Sequence, residues 1–179
     1  MVELETINML IQMVGVSSAA IATVIGVRSY ILSNRRAEEA RARELETRQA
    51  QLFMQVYSKW QDKEYNESKQ LVLHEYRCEN VEDYEGIVGD REKASNLRSI
   101  GTFLEGLGVL VKRGLVDVGF VDDMMSGDVI GFWEKYGGAV KEFRVRMGYP
   151  QALEWAEYLF DEVKSVAVSQ HPELKSSSQ

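Results

Sequence analysis

Glu105 is the strongest candidate in this sequence for a carboxylate with a perturbed pKa. It lies in the most apolar stretch of the second half of the chain. A carboxylate there is either solvated at an edge or buried and paired, because an unpaired buried charge is very costly. Arg98, Arg144 and Arg146 are candidate partners. We expect a structural ion pair or hydrogen bond, and a catalytic acid with a raised pKa is the alternative.

His74 and Cys78 form a second group with possible chemistry, because residues four apart share one face of a predicted helix. A structural zinc site needs four ligands, and the other histidine, His171, falls in the polar C-terminal tail. We therefore expect ordinary side chains here, with no metal and no cofactor. The sequence also lacks a phosphate-binding loop, a zinc-protease motif and a nucleophile elbow.

The composition is that of a globular protein with an acidic balance. The chain is 45% hydrophobic and 27% charged, and its formal net charge is −7. Nucleic-acid binding requires a surplus of Lys and Arg to neutralise phosphates, so we expect no nucleic-acid partner. Cys78 is the single cysteine, which excludes a disulfide within the chain.

An apolar run near the N-terminus predicts where the rest of the chain is located. No charged residue occurs from Ile7 to Val27, and at about 1.5 Å per residue this run can cross a hydrocarbon core of about 30 Å. We predict a transmembrane helix over residues 7–32. A buried core helix or a cleaved signal peptide are the alternatives, but the residues before the run are acidic, not basic.

The charges flanking this run predict its orientation. Arg28, Arg35 and Arg36 follow the run, and neither Lys nor Arg precedes it. We therefore predict a single-pass protein of the cell (inner) membrane. By the positive-inside rule, residues 1–6 lie on the outer side of that membrane, and the C-terminal domain is cytoplasmic. The lipid bilayer is thus the first predicted partner.

Small residues recur along one face of the predicted span. They follow the small-xxx-small spacing that lets helix backbones approach in lipid, so homo-oligomerisation through this helix is a second prediction. The alternative is that small residues are simply common in spans. The residues concerned are Gly15, Ala19, Ser18, Ala22 and Gly26.

The remaining sequence predicts an all-α architecture. Residues 33–51, rich in Ala, Glu and Arg, predict a helical stalk that continues the transmembrane helix. Residues 52–168 predict a cytoplasmic bundle of about five or six helices, because apolar residues recur there at helical spacing. Residues 169–179 are polar and are expected to be disordered.

Within the bundle, breakers and caps predict the individual elements. A helix is expected over 63–77, and a polar loop over 80–89 with room for a short turn at residues 81–84. Asp90 should cap a long helix that ends before Gly114. Asp117 and Asp128 should cap two further helices, the second with a kink allowed at residues 137–138. The last helix is expected over 151–168, beginning just after Pro150.

One run of residues resembles a known family. Residues 103–117 follow the pattern F-x-E-x-L-G-x-L-V-x-R-G-x-x-D. With residues 130–134, Arg144 and residues 155–159, this pattern resembles a family of small bacterial and archaeal proteins of unknown function. The likeness covers residues 52 to about 163. It implies an N-terminal membrane helix followed by a cytosolic helical domain, and it implies no activity.

The function expected from these patterns is binding. We interpret the chain as a membrane-anchored cytoplasmic module that acts as a protein-interaction or scaffold element, through an unknown protein partner docked on its acidic surface. One alternative is an accessory subunit of a membrane transporter or signalling complex. Another is a membrane-tethered enzyme that uses Glu105 with an arginine, although catalysis would need a second positioned group.

Overall fold

The longest element of the molecule is helix α1, Val2–Trp60. In this computed structural model, backbone structure is described for residues 2–170 and side chains for residues 26–167. The chain divides into two compact units, Met1–Thr47 and Arg48–Gln179. In the first unit, every described side chain, from residue 26 to residue 47, is exposed to solvent.

The predicted membrane span falls mainly in the first part of α1. Among the described residues, no helix has the length and apolar character needed to cross a bilayer. Residues 7–25 of the predicted span lie outside the residues whose side chains the structure describes. The transmembrane helix therefore stays a prediction.

The second unit contains the end of α1 and five further helices among residues 2–170, where no strand occurs. The all-helical class predicted from the sequence is confirmed for these residues. The five helices are α2 (Lys63–Gln70), α3 (Val81–Gly89), α4 (Arg91–Lys112), α5 (Val118–Met147) and α6 (Glu154–Gln170), and a π-helical turn at Leu71–Glu75 follows α2.

Helix α3 replaces the predicted loop over 80–89, which was wrong. Asn80 caps this helix, because its side-chain oxygen accepts a hydrogen bond from the Asp83 N–H at 2.8 Å. Val81, Tyr84 and Ile87 are buried along one face. Burial of three apolar side chains at helical spacing thus stabilises a helix, although the glycines and acidic residues of this segment had predicted a loop.

Helix α5 is continuous over 30 residues, although two helices were predicted in its place. Asp128 lies inside this helix and does not cap one. The helical spacing of the buried side chains runs unbroken past Gly127, from Val121 and Met125 to Val129. Burial of that stripe outweighs the cost of a helical glycine, which is about 1 kcal/mol relative to alanine.

Two other predicted boundaries also shift. The helix expected over 63–77 passes into the π-helical turn and ends at Glu75, after which Tyr76 is extended. The last helix begins at Glu154 rather than residue 151, and Leu153 just before it has a φ of 56°. The segment before α6 is therefore a strained turn. Pro150 lies in this turn and not in the first turn of α6, so its missing N–H does not help to start the helix.

The predicted ends of α4 are confirmed. Asp90 caps it through hydrogen bonds from the N–H groups of Glu92 (3.0 Å) and Lys93 (3.1 Å). Gly114, with a φ of 65°, follows the helix in the left-handed conformation that glycine tolerates best. Asp117 caps α5 by accepting from the Gly119 N–H at 2.7 Å. Helix α4 thus has firmly set ends, which matters because the candidate site is built on it.

The hydrophobic core of the second unit surrounds α4 and α5. Its largest fully buried side chains are Trp60, Tyr136, Phe53, Phe132, Ile100, Leu104, Leu107, Met125 and Leu159.

Candidate functional site: the two faces of helix α4

Glu105 lies on the face of α4 that packs against α6. One of its carboxylate oxygens, Oε2, accepts hydrogen bonds from the backbone N–H groups of Trp155 (3.0 Å) and Ala156 (2.9 Å). These N–H groups belong to the first turn of α6, where they have no acceptor within the helix. Glu105 therefore caps a neighbouring helix, as a charged acceptor favoured by the helix dipole.

Glu105 was expected to form an ion pair or a hydrogen bond with Arg98, Arg144 or Arg146, and among the described residues none of these arginines donates a hydrogen bond to its carboxylate. The hydrogen-bond donors to Glu105 are backbone groups, which a sequence pattern does not display. Arg98 is exposed and makes no hydrogen bond or ion pair among the described residues. Arg144 has other partners, and it acts on Glu105 only through its charge at longer range.

Burial raises the pKa of the Glu105 carboxyl above its ordinary value. The N–H groups of Ala156 and Trp155 oppose this rise, because they stabilise the ionised form. The neighbouring Glu154 raises the pKa further, and the charge of Arg144 lowers it. The carboxylate is thus held by backbone donors in a setting that disfavours its charge.

Arg144 pairs with Glu157 on α6. Its Nη1 is 2.5 Å from Glu157 Oε2, and its Nε donates to the carbonyl of Ala152 at 2.7 Å. Lys141 Nζ lies 2.8 Å from the other oxygen of Glu157. Arg144 Nη2 is buried and has no hydrogen-bond partner among the described residues. Arg144 therefore ties the end of α5 to the turn before α6 and to α6 itself.

The pKa of Glu157 moves in the opposite direction from that of Glu105. Burial by itself would raise this pKa, but the hydrogen bonds and charges of Lys141 and Arg144 outweigh burial and leave it below its ordinary value. Two carboxylates near the start of α6 thus have opposite preferences for a proton.

Gly108 makes the close approach of α4 and α6 possible. A Cβ atom built on Gly108 would lie 2.0 Å from the carbonyl oxygen of Trp155 and 2.7 Å from its carbonyl carbon. Because these are backbone atoms, they cannot move aside as the end of a side chain could. No residue larger than glycine fits at this position without separation of the two helices.

The opposite face of α4 borders an open groove of about 540 Å³. The residues that line it on α4 include Phe103, Gly106, Leu107 and Leu110. On α1 the lining residues are Leu52, Gln55, Val56 and Lys59, and Tyr65 of α2 and Thr102 of α4 complete the lining.

Both walls of the groove have the same periodicity. Positions 103, 106, 107 and 110 on one wall, and 52, 55, 56 and 59 on the other, follow the spacing i, i+3, i+4, i+7. Each wall is therefore one helical face, two turns or about 10 Å long. Lys59 is the one charged residue among the described residues of the lining.

Gly106 gives this groove room close to the α4 backbone. It is exposed, and a Cβ atom built on it would meet no atom within 4 Å. Packing within the chain therefore does not explain a glycine here, whereas it does explain Gly108. A glycine in a helix wall allows another backbone or a bulky group to approach closely.

An aromatic cluster holds one end of the groove in place. The ring centroids of Trp60 and Phe103 are 4.5 Å apart, and those of Tyr65 and Phe103 are 5.5 Å apart. The indole N–H of Trp60 donates to Asp128 Oδ2 at 2.9 Å, and Lys69 Nζ lies 3.3 Å from the same oxygen. Asp128, predicted to be a helix cap, thus fixes the tryptophan that joins α1 to α4.

His74 and Cys78 are not brought together with other metal ligands. His74 is exposed, and Cys78 is half-buried with its Sγ 3.8 Å from the Asn80 carbonyl oxygen. Burial raises the pKa of the Cys78 thiol to about 11. Among the described residues, no group of three or more His, Cys, Asp or Glu side chains is arranged to hold a metal ion.

The π-helical turn beside these residues is capped from α5. Lys135 Nζ donates to the carbonyls of Val72 (2.8 Å) and Leu73 (3.0 Å), and the Tyr136 hydroxyl donates to Val72 at 2.7 Å. These bonds satisfy carbonyls at the end of a helical segment, where a cation is also favoured by the helix dipole. This role of Lys135 was not predicted, because a lysine within a helix is usually solvated.

The predicted membrane residues are only partly described. Gly26, Arg28, Arg35 and Arg36 are exposed on α1, and a Cβ atom on Gly26 would meet no atom within 4 Å. The other small residues of the predicted self-association face lie outside the described side chains. They are Gly15, Ser18, Ala19 and Ala22.

The second unit is thus a helical domain whose central helix has one packed face and one open face. The family model described as Domain of unknown function (DUF4760) matches residues 13–163, and the chain belongs to this family. Membership agrees with the predicted likeness to a family of unknown function. No curated protein and no solved structure matches the chain.

Proposed function

We propose that this chain is a membrane-anchored binding module whose groove accepts an amphipathic helix from a partner protein. The observation that carries the proposal is the pair of matching walls on α1 and α4. The i, i+3, i+4, i+7 positions on each wall form a surface against which a third helix can pack. Gly106 lets the backbone of that helix approach the centre of the groove.

The chemistry of the lining defines the partner helix. The walls are apolar and aromatic, through Leu52, Val56, Phe103, Leu107 and Leu110. The partner helix therefore carries apolar residues at its own i, i+3 or i+4, and i+7 positions. An acidic residue near one end of that stripe would pair with Lys59, since hydrophobic anchors supply affinity and charges supply orientation.

The anchor belongs to the proposal as well. The uncharged run from Ile7 to Val27 and the arginines that follow it support a single-pass helix with the N-terminus outside. Reporters fused to each terminus test the orientation, because a C-terminal reporter active in the cytoplasm supports it and an externally active one overturns it.

The arrangement of Glu105 favours a binding module over an enzyme. Its Oε2 is occupied by two backbone donors, and its role as a helix cap accounts for its position. An accessory role in a transporter or signalling complex is compatible with the same groove, because such a role is also exercised by binding a helix.

Site-specific photocrosslinking in membranes tests the groove. A benzophenone amino acid replaces Gln55, which lines the groove. The control carries it in place of Gln51, which is exposed on the same helix outside the lining. Adducts are expected from position 55, joined to an amphipathic helix of another protein. Gly106→Trp should abolish these adducts, and Gly131→Trp should preserve them, since Gly131 is an equally open helical glycine away from the groove.

The identity of the crosslinked peptide decides the outcome. A peptide from a partner's amphipathic helix supports the proposal. An adduct with a second copy of this chain, an adduct with lipid alone, or equal adducts in the Gly106→Trp variant would overturn it. Circular dichroism of both tryptophan variants establishes that the fold is retained.

A further inference from the structure

A second cavity lies where α3, α4 and α5 meet the turn before α6, and Thr102 is the one lining residue that it shares with the groove. Its volume is about 190 Å³, and its apolar walls include Leu97, Phe143 and Leu153. An apolar cavity of about 150 Å³ is large enough for a benzene molecule. This cavity can therefore hold a small organic body of about six carbon atoms, but it cannot hold a peptide helix.

Tyr84 and Arg98 are polar side chains of the cavity lining, and neither makes a side-chain hydrogen bond to the described residues. Tyr84 is 7% exposed, and its hydroxyl makes no hydrogen bond to the described residues. The hydroxyl oxygen is not one of the fully buried unpartnered atoms of the described residues, so it reaches solvent and is accessible to a molecule in the cavity. Burial raises the pKa of Tyr84, which keeps the hydroxyl a donor at neutral pH.

Arg98 is the second polar side chain. It lines the cavity and is exposed, and among the described residues it forms neither an ion pair nor a hydrogen bond. It is also the one charged residue in the lining. A guanidinium group recognises a carboxylate through two parallel charge-assisted hydrogen bonds.

The wall formed by Leu153 is held in an unusual conformation. Its φ of 56° lies in the left-handed region, which is sparsely populated for a leucine. This conformation places its Cδ2 atom 3.2 Å from the position that a Cβ of Gly101 would occupy. Backbone strain of this kind is often found at binding sites, where the surrounding structure maintains it.

From these observations we infer that the cavity binds a small monocarboxylic acid with a compact apolar body, such as an aromatic ring or a short alkyl chain. The body fills the space between Leu97, Phe143 and Leu153. Arg98 binds the carboxylate, and the Tyr84 hydroxyl supplies a further donor. The inference does not depend on the groove, whose other lining residues all differ from those of the cavity.

Binding of benzoate to the full chain in lipid nanodiscs tests this inference. Ligand-observed NMR titration measures the dissociation constant, and benzyl alcohol serves as the uncharged analogue. We expect saturable binding of benzoate and binding of benzyl alcohol at least ten-fold weaker. Arg98→Gln should weaken benzoate binding about ten-fold, because it removes the charged partner of the carboxylate.

Two further variants complete the design. Ala94→Leu adds a side chain to the cavity lining and should abolish binding of both probes. Arg91→Gln removes an exposed arginine from the same helix outside the lining and should leave binding unchanged. Absence of benzoate binding at millimolar concentration, or equal binding by the wild type, Arg98→Gln and Ala94→Leu, would overturn the inference. Circular dichroism checks that each variant is folded.

Discussion

Gly108 and Gly106 lie two residues apart on α4, yet a methyl group added at each would meet very different surroundings. At Gly108 it would overlap the backbone of Trp155, and at Gly106 it would meet open space. The first glycine is required by packing of α4 against α6. The second has no such requirement, and it borders a groove. Identical residues in one apolar helix can therefore serve either the packing of the fold or a surface left for a partner.

The largest effect that can test this comparison is expected from Gly108→Ala. The added Cβ must displace the backbone of α6, since it would lie 2.0 Å from the Trp155 carbonyl oxygen. Overpacking of this kind should lower the free energy of unfolding by about 3 kcal/mol. Urea denaturation followed by tryptophan fluorescence measures it, and an unchanged midpoint would show that the two helices are not so closely packed.

A smaller loss is expected when Glu105 is replaced on the same packed face. Glu105→Ala leaves the N–H groups of Trp155 and Ala156 without their acceptor, which should cost about 2 kcal/mol of stability. Glu105→Gln keeps an acceptor oxygen and should recover most of this loss. Equal stability of the alanine and glutamine variants in urea denaturation would contradict the capping role.

On the open face, Gly106→Ala should have the opposite sign. Alanine is favoured over glycine inside a helix by about 1 kcal/mol, and nothing lies in the path of the new methyl group. The variant is expected to unfold at a higher urea concentration than the wild type. A destabilised Gly106→Ala variant would mean that the groove face is packed, and the contrast with Gly108 would disappear.

The smallest expected effects are the opposite pH dependences of Glu105 and Glu157. The pKa of Glu105 is raised in the folded state, so its contribution to stability is present below the unfolded pKa of about 4.5 and is lost as the pH rises through the folded value. The pKa of Glu157 is lowered, so its contribution is present above about 4.5 and is lost as the pH falls through the folded value.

Variants in which each glutamate becomes glutamine measure these slopes. From pH 7 to pH 4, the stability of the wild type relative to Glu105→Gln should increase, and its stability relative to Glu157→Gln should decrease. Urea denaturation at several pH values gives both differences. Slopes of the same sign would show that the two carboxylates do not occupy the contrasting environments found here.

The elements predicted well were those with local signals at both ends. Helix α4 begins after Asp90, whose carboxylate reaches the N–H groups two and three residues later, and it ends before Gly114. Capping contacts of this kind involve neighbours in the sequence, so spacing is sufficient to predict them. The elements predicted poorly, α3 and the middle of α5, depend on apolar anchors that become decisive only when other helices cover them.

The candidate site was predictable only in part for the same reason. Glu105 was identified as a polar residue in need of a partner, but its partners are N–H groups 50 and 51 residues further along the chain. The groove needs positions 52–59 and 102–110 side by side, and each stretch alone reads as an ordinary amphipathic helix. Asp128 was predicted to be a helix cap. Its bond to Trp60 was not predicted, because this bond connects residues 68 positions apart.

The helical class, the caps of α4, the acidic balance and the uncharged run that predicts a membrane anchor could all be read from the amino-acid sequence. These properties follow from composition and from contacts within a few residues, which a linear pattern records directly. The tertiary structure alone decided that Glu105 caps α6, that Gly108 lies under a backbone and that Gly106 faces a groove. Each of those depends on which distant segment lies opposite, and helical periodicity specifies a face without specifying what covers it.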